Sequence, residues 1–342
     1  MRAINRIFLK KLLTHWSHYT AQLPYNLNWA INLRAPEKAW LEKHPLVVCD
    51  IGARGGAPDE LVSFYPFMTY HGFDADAKEC ARLNASRHPY HSLRVFPLFL
   101  GGAEGRIVFN FYQEPGQSSV YQPASRYKEL FGGKEFGISG QCSMETTTLD
   151  AVYKDLPAPD FIKLDTQGSE LDILRGAAAV LNTTTLVEAE VEFIPAYEGQ
   201  PLFHQVFEFM LAHGFELLYL NRQMGQRKQI FNGPCRGQLV FGDALFGKRE
   251  DRMQDFDTER LVKSVLLLIN YGHLDVAFHV TQKHPQILQE LPSLARYLRR
   301  DTYGSLFRRG LLSQFDKLLL LPMRLRKTNQ ISMDSDRSWP IV

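Results

Sequence analysis

The sequence predicts an α/β fold: a doubly wound, mostly parallel sheet of about seven strands with an α-helical C-terminal extension. Two patterns carry this. Short apolar runs rich in β-branched and aromatic residues, each closing on a polar or turn residue, recur between residues 46 and 241. Segments with apolar residues three and four apart fall between several of them, and strand alternating with helix is the pattern of a sheet covered on both faces. Beyond about residue 255 the strand signal stops and helical periodicity continues alone.

The N-terminal stretch "MRAINRIFLKKLLTHW" mixes Arg and Lys with Ile, Phe and Leu, which reads as an amphipathic helix within a helical segment 1–44. The main domain runs over 45–247, with strands expected at 46–50, 70–74, 93–98, 161–165, 185–191, 216–220 and 237–241. More than sixty residues separate the third and fourth of these runs, too many for a plain crossover. "GRIVFNFY" there reads as a further strand, and "EPGQSSVYQP" as a polar loop placed to cover a ligand. "SELDILRGAAAVL" puts Leu171, Leu174, Ala178 and Leu181 on one helix face, and "PLFHQVFEFMLAHGF" does the same until Gly214 stops it. The last two strands are close enough to pair as an antiparallel edge hairpin. A helical subdomain over 248–328 follows, beginning with two helices joined at "NYGH", and a disordered tail at 329–342.

Composition narrows the class. The apolar share of 45% and charged share of 22% are ordinary for a globular protein, and the formal net charge is +2. Cys49, Cys80, Cys142 and Cys235 lie far apart without a C-x-x-C pair, so neither a zinc cluster nor a disulfide framework is indicated, and a reducing cytoplasm suits them. No apolar run approaches the ~20 residues of a membrane helix. Residues 296–327 carry nine Lys or Arg against two acids. Such a stretch is either a set of solvated helix faces or a surface for an acidic glycan or an anionic membrane face. Few aromatic residues are interleaved with it, so nucleic acid is not expected as a partner.

Three stretches carry chemistry. "VVCDIGARGGAPDE" sets an acid at the end of an apolar run before glycines that let backbone approach a ligand. A dinucleotide loop wants G-x-G-x-x-G, whereas Gly52, Gly55 and Gly56 give G-x-x-G-G. "GFDAD" ends the next strand at Asp74, 24 residues after Asp50, where an acid can accept both ribose hydroxyls. In "FIKLDTQGSELDILRGA", Gly168 makes a turn and Ser169 with Asp172 makes a capping-box-like helix start. Neither explains Asp165, an acid at the carboxyl end of a strand, where open α/β sheets bind ligands.

Together "DIGARGG", "FDAD", "TTTLD", "IKLDTQGSELDILRGA" and "EVEFIPAYEGQPLFHQVFEFMLAHGFELLYL" closely resemble the FkbM-type methyltransferases over about residues 45–245. The block K-x-D-x-x-G-x-E is the most telling and falls on Lys163, Asp165, Gly168 and Glu170. The resemblance implies a class I methyltransferase, Rossmann-like sheet and O-methylation of a hydroxyl with S-adenosylmethionine as cofactor, often on a sugar or other secreted or secondary metabolite. It places Asp50, Gly52, Ala53 and Gly56 in the cofactor loop and Asp74 on the ribose. Asp74 stands where Glu is frequent in the family, and Gln167 where Glu is common.

Methyl transfer is an in-line displacement, so the protein must align the acceptor and take up its hydroxyl proton. Asp165 is the first candidate base; Glu190 or Glu192 after the next strand, and His204 after "YEGQP", follow. Tyr197 would stack on a sugar or pack under a loop. No stretch has metal-ligand spacing, and a divalent ion remains an unsupported addition. The rival readings are a nicotinamide-dependent oxidoreductase on a similar sheet and a non-catalytic module that binds a glycan or membrane face.

Overall fold

The computed structural model describes residues 31–133, 136–227, 237–298 and 334–335. The N-terminal stretch 1–30 and nearly all of 299–342 lie outside these residues, so the expected N-terminal helix and most of the basic stretch are not described. Of the nine basic residues of that stretch only Arg296 is described, and it is committed to an ion pair with the buried Glu37.

In chain order the strands are β1 (Leu46–Ile51), β2 (Met68–Phe73), β3 (Ser92–Phe96), β4 (Phe99–Leu100), β5 (Gly105–Tyr112), β6 (Ile138–Thr147), β7 (Phe161–Leu164), β8 (Leu186–Glu192), β9 (Phe215–Gly225), β10 (Gln238–Lys248) and the two-residue β11 (Asp334–Ser335). The helices are α1 (Ala35–Leu41), α2 (Ala77–Ala85), α3 (Ser125–Phe131), α4 (Leu149–Val152), α5 (Glu170–Arg175), α6 (Ala178–Thr183), α7 (Phe203–Ala212), α8 (Thr258–Asn270), α9 (Leu274–Lys283) and α10 (Gln286–Glu290).

The main sheet has the order β11-β9-β10-β8-β7-β1-β2-β3. Strands β3, β2, β1, β7 and β8 are parallel, β10 is antiparallel to β8 and to β9 on either side of it, and β11 is antiparallel to β9. This is the doubly wound, mostly parallel α/β sheet that the sequence leads one to expect. The expected hairpin of the last two strands forms, but its second strand lies inside the sheet between β8 and β9 and runs to Lys248, seven residues past the expected end.

Alternation along the central strands feeds two cores. Leu46 and Val48 of β1, Phe161 of β7 and Leu186 of β8 pack on one face; Cys49 and Ile51, Ile162 and Leu164, and Val187 and Ala189 pack on the other. The second face is covered by α5, α6 and α7. The first is covered by α1, α2 and, above all, α8, where every residue from Leu261 to Asn270 is buried. Asp257 caps α8 by accepting the Arg260 amide at 2.7 Å. Among the described residues no helix is long and apolar enough to cross a membrane.

Two expectations change. "SELDILRGAAAVL" is two short helices broken at Gly176, because the Gly101 carbonyl passes so near that a Cβ at 176 would lie 2.3 Å from its oxygen. The long insert builds a second sheet, β4-β6-β5, in which β5 is the expected "GRIVFNFY" strand and β6 the unexpected one. Strand β6 is largely polar and exposed, so it carries no alternating apolar signal.

Candidate active site

Sheet order reverses at β1, whose neighbours β2 and β7 lead away in opposite directions, and this is where open α/β sheets leave a crevice at their carboxyl edge. A cavity of about 610 Å³ lies there, lined among others by Gly52 and Arg54 after β1, Asp74 and Asp76 after β2, and Asp165, Thr166 and Gln167 after β7. The insert closes it with Phe99, Phe109, Phe111 and Ser139, and the loop "EPGQSSVYQP" contributes Pro115, Gly116 and Ser118. The structure therefore brings together Gly52, Asp74 and Asp165 from three separate stretches.

Contact between those stretches is direct. Gly52 has φ +86°, and a Cβ on it would sit 2.0 Å from the Asp165 carbonyl oxygen. Only glycine lets the two loops touch. Asp50 lies beneath the loop, 2% exposed, with Tyr70 Oη donating to its Oδ2 at 2.6 Å. Its Oδ1 is buried without a hydrogen-bond partner, and burial, partly offset by the Lys163 ammonium and the Tyr70 hydroxyl, pushes its pKa up to about 6. Asp50 itself is not among the residues lining the cavity, so it supports the loop from below. Ala53 is fully buried in the core, and Gly56, at φ +96°, sits against the Tyr90 hydroxyl; neither is among the residues lining the cavity.

At the end of β2, Asp74 accepts the Asp76 amide on Oδ1 at 2.8 Å, and burial raises its pKa. Asp76 caps α2 through the Lys78 amide and pairs with Arg54 at 3.2 Å. This gives Arg54, without a role in the sequence reading, a fixed place on the cavity wall.

The turn after β7 is held from behind. Glu170, 2% exposed, accepts the Thr166 amide at 2.8 Å, the Thr166 hydroxyl at 2.9 Å and the Gly168 amide at 3.3 Å. Ser169 stands at the helix start without a side-chain capping bond, so the expected capping box is replaced by this grip of Glu170 on its own preceding turn. Gln167 follows at φ +57°, a left-handed conformation uncommon outside glycine. Its Nε2 donates to Asp165 Oδ1 at 3.3 Å and to Glu190 Oε1 at 3.1 Å, and its Oε1 accepts from Tyr197 Oη at 3.1 Å. Its carbonyl accepts from the Ser119 hydroxyl of the covering loop at 2.7 Å. Tyr197 is 1% exposed, and its single hydroxyl proton is shared between Gln167 Oε1 and the Gln117 carbonyl at 2.9 Å, so it is packed under the loop.

Beside this turn, Asp50, Lys163 and Glu188 stand in register on three adjacent strands. Lys163 Nζ reaches Asp165 Oδ2 at 3.3 Å. Burial works against its charge, yet Asp50, Asp165 and Glu188 outweigh that and raise its pKa. Burial, reinforced by nearby acids, raises Glu188 to about 8 and holds Glu190 well above the carboxylate range. Glu192 is buried and shifted the same way by burial first and Glu170 second, and it does not line the cavity. His204 is exposed on the first turn of α7, also outside the lining. Among the described residues no group of three or more His, Cys, Asp or Glu converges as a metal site.

Sequence reasoning had no signal for Gln167, Phe109 and Phe111 as cavity walls, because they arrive through a left-handed turn and an inserted sheet. Glu170 was visible as part of a motif, but its backward grip was not.

Residues 50–217 match the methyltransferase FkbM domain. The 2-O-methyltransferase NoeI of Sinorhizobium fredii (strain NBRC 101917 / NGR234) is 27% identical over 188 residues, which covers 52% of this chain and 75% of that protein. Among solved structures, the methyltransferase FkbM from Methylobacillus flagellatus KT aligns over 58% of this chain at 14% identity and a TM-score of 0.32, and the chain spans 44% of its length. Precorrin-6y C5,15-methyltransferase from Geobacter metallireducens GS-15 aligns over 62% of this chain and 87% of that one at 12% identity, also with a TM-score of 0.32.

Proposed function

Because residues 50–217 belong to the methyltransferase FkbM family, we propose that this protein transfers a methyl group from S-adenosylmethionine to a hydroxyl of a carbohydrate, a cell-surface glycan or a glycosylated metabolite. The observation that carries the reading is the meeting of Asp74 and Asp165 in one cavity, from strands on opposite sides of β1. The family match turns away the nicotinamide-dependent alternative. The name of the 2-O-methyltransferase relative supports oxygen as the accepting atom. The three described cysteines, Cys49, Cys80 and Cys142, are free, which suits the cytoplasm as its place of action.

The residues present fit such a cofactor. Asp74, on the cavity wall, would accept its ribose hydroxyls, and Gly52 leaves the room that a side chain would fill. When bound, the cofactor supplies an activated methyl group, and the difficult chemistry is its own. The chain's part is placement and proton uptake. Asp165, lining the cavity, would take up the acceptor's hydroxyl proton; Lys163 and Gln167 hold one carboxylate oxygen each. Glu190, whose pKa burial raises, accepts the second amide proton of Gln167 and so fixes that amide.

Incubation with labelled S-adenosylmethionine and fractionated host glycans tests this, with label expected in a carbohydrate fraction. Asp165→Asn is expected to lower kcat by roughly 10²–10⁴-fold while S-adenosylhomocysteine still binds. Asp74→Ala is expected to weaken that binding. A wild-type protein that does not bind S-adenosylhomocysteine in calorimetry would sink the proposal in favour of the binding-module reading.

A further inference from the structure

Strand β5 alternates, and Phe109 and Phe111 fall two apart on one of its faces, both on the cavity wall. Their rings meet edge to face at 5.3 Å, and Phe109 meets Phe99 of β4 in the same manner at 5.5 Å. An aromatic stripe thus runs along the wall that the insert contributes. Phe109 is 9% exposed, but Phe111, at its far end, is 37% exposed. An aromatic ring left uncovered inside a concave site is a surface waiting for an apolar face. The same end is rimmed by small polar groups. Ser139 lines it while donating to the Phe111 carbonyl at 3.1 Å, and Ser118 lines it while accepting the Tyr112 amide at 3.2 Å.

Charge limits what can lie there. Asp74, Asp76 and Asp165 line the cavity, and Arg54 is the only cation among its described lining residues. Arg54 sits in the cofactor loop and is taken by Asp76. A carboxylate, phosphate or sulfate on the acceptor would therefore meet acids with no unspent cation to receive it. A pyranose offers the opposite combination: a face of C–H groups for the electron-rich ring, and hydroxyls on its rim for Asp165 and the serines.

We infer that Phe111, backed by Phe109, is the acceptor subsite and that it takes the apolar face of an uncharged pyranose, excluding acidic sugars. The inference rests on the methyltransferase reading and adds to it a residue and a charge class.

Saturation-transfer NMR is the test, with methyl α-D-glucopyranoside, -mannopyranoside and -galactopyranoside as uncharged probes and methyl glucuronide as the acidic one. Each is added to the full chain with and without S-adenosylhomocysteine. At least one uncharged glycoside is expected to show ring-proton saturation that falls at least fivefold in Phe111→Ala and returns in Phe111→Trp, while methyl glucuronide shows none. Affinity for S-adenosylhomocysteine is expected to stay within twofold in Phe111→Ala. The inference is overturned if no uncharged glycoside binds, if Phe111→Ala binds it as well as wild type, or if methyl glucuronide binds as strongly. It is also overturned if Phe111→Ala loses S-adenosylhomocysteine instead, which would give the ring to the cofactor. Failure of wild type to bind S-adenosylhomocysteine is a separate result, against the methyltransferase reading and not against the subsite, because the glycoside arm is read without it as well.

Discussion

At Gly52 a methyl group has nowhere to go: the Asp165 carbonyl oxygen would be 2.0 Å away and φ is already +86°. Gly52→Ala is therefore expected to destabilise by about 1–3 kcal/mol and to disturb both halves of the site together. Thermal unfolding and S-adenosylhomocysteine calorimetry would read the two effects, and an unchanged Tm would refute the contact. A second residue-scale expectation concerns Glu188, whose pKa rises from the ordinary 4.5 to about 8, chiefly through burial. Between those values the folded protein holds a proton that the unfolded chain has lost. The stability present below pH 4.5 is thus given up progressively as pH rises toward 8. Glu188→Gln keeps a neutral side chain throughout, so it is expected to be stabilising at pH 8, by on the order of a few kcal/mol, and near neutral at pH 4.5. Denaturant unfolding at the two pH values checks the sign. Asp165 could be singled out from the sequence as an acid at a strand end. Gln167 could not, because its importance lies in a left-handed backbone and three side-chain partners that converge only in three dimensions.

Elements follow the same division. The central strands β1, β2, β7 and β8 were legible because they are short, mostly buried runs and each is closed by an acid or a turn. The 170–183 segment shows where periodicity misleads. Read as one helix, its Gly176 invites alanine, a change worth up to about 1 kcal/mol in a free helix. In the fold Gly176 ends α5 against the Gly101 carbonyl, with 2.3 Å left for a Cβ. Gly176→Ala is therefore expected to destabilise by about 1–3 kcal/mol, and a stabilised variant would mean that the segment is one helix after all. Strand β10 was found but cut short, since its second half, buried on both sides, no longer alternates. Strand β6 was missed for the opposite reason: it is mostly polar and gains its order from β4 and β5.

For the molecule as a whole, the C-terminal helices cover one face of the sheet. Leu261, Val265 and Leu266 of α8 share a core with Leu46, Val48 and Phe161 of the central strands. Leu266→Ala is expected to cost about 2–5 kcal/mol. It should also lower the melting of sheet and helices together, as one transition in circular dichroism and in amide exchange of β1. Loss of helix signal ahead of the sheet would show α8 to be an independent unit.

What the sequence determined by itself was the alternating fold class, the run of acids at strand ends and the resemblance that joins them, because periodicity and short motifs are local properties of a chain. Which of those acids meet was decided by the tertiary structure. Strand order puts β1 between β2 and β7, so Asp74 and Asp165 face one cavity while His204 is left on an outer helix. Burial then sets the carboxyls apart, raising the pKa values of Glu188 and Glu190, while the neighbouring acids raise that of Lys163. Desolvation and cross-strand register depend on neighbours far apart in the chain, and no reading of local pattern contains them.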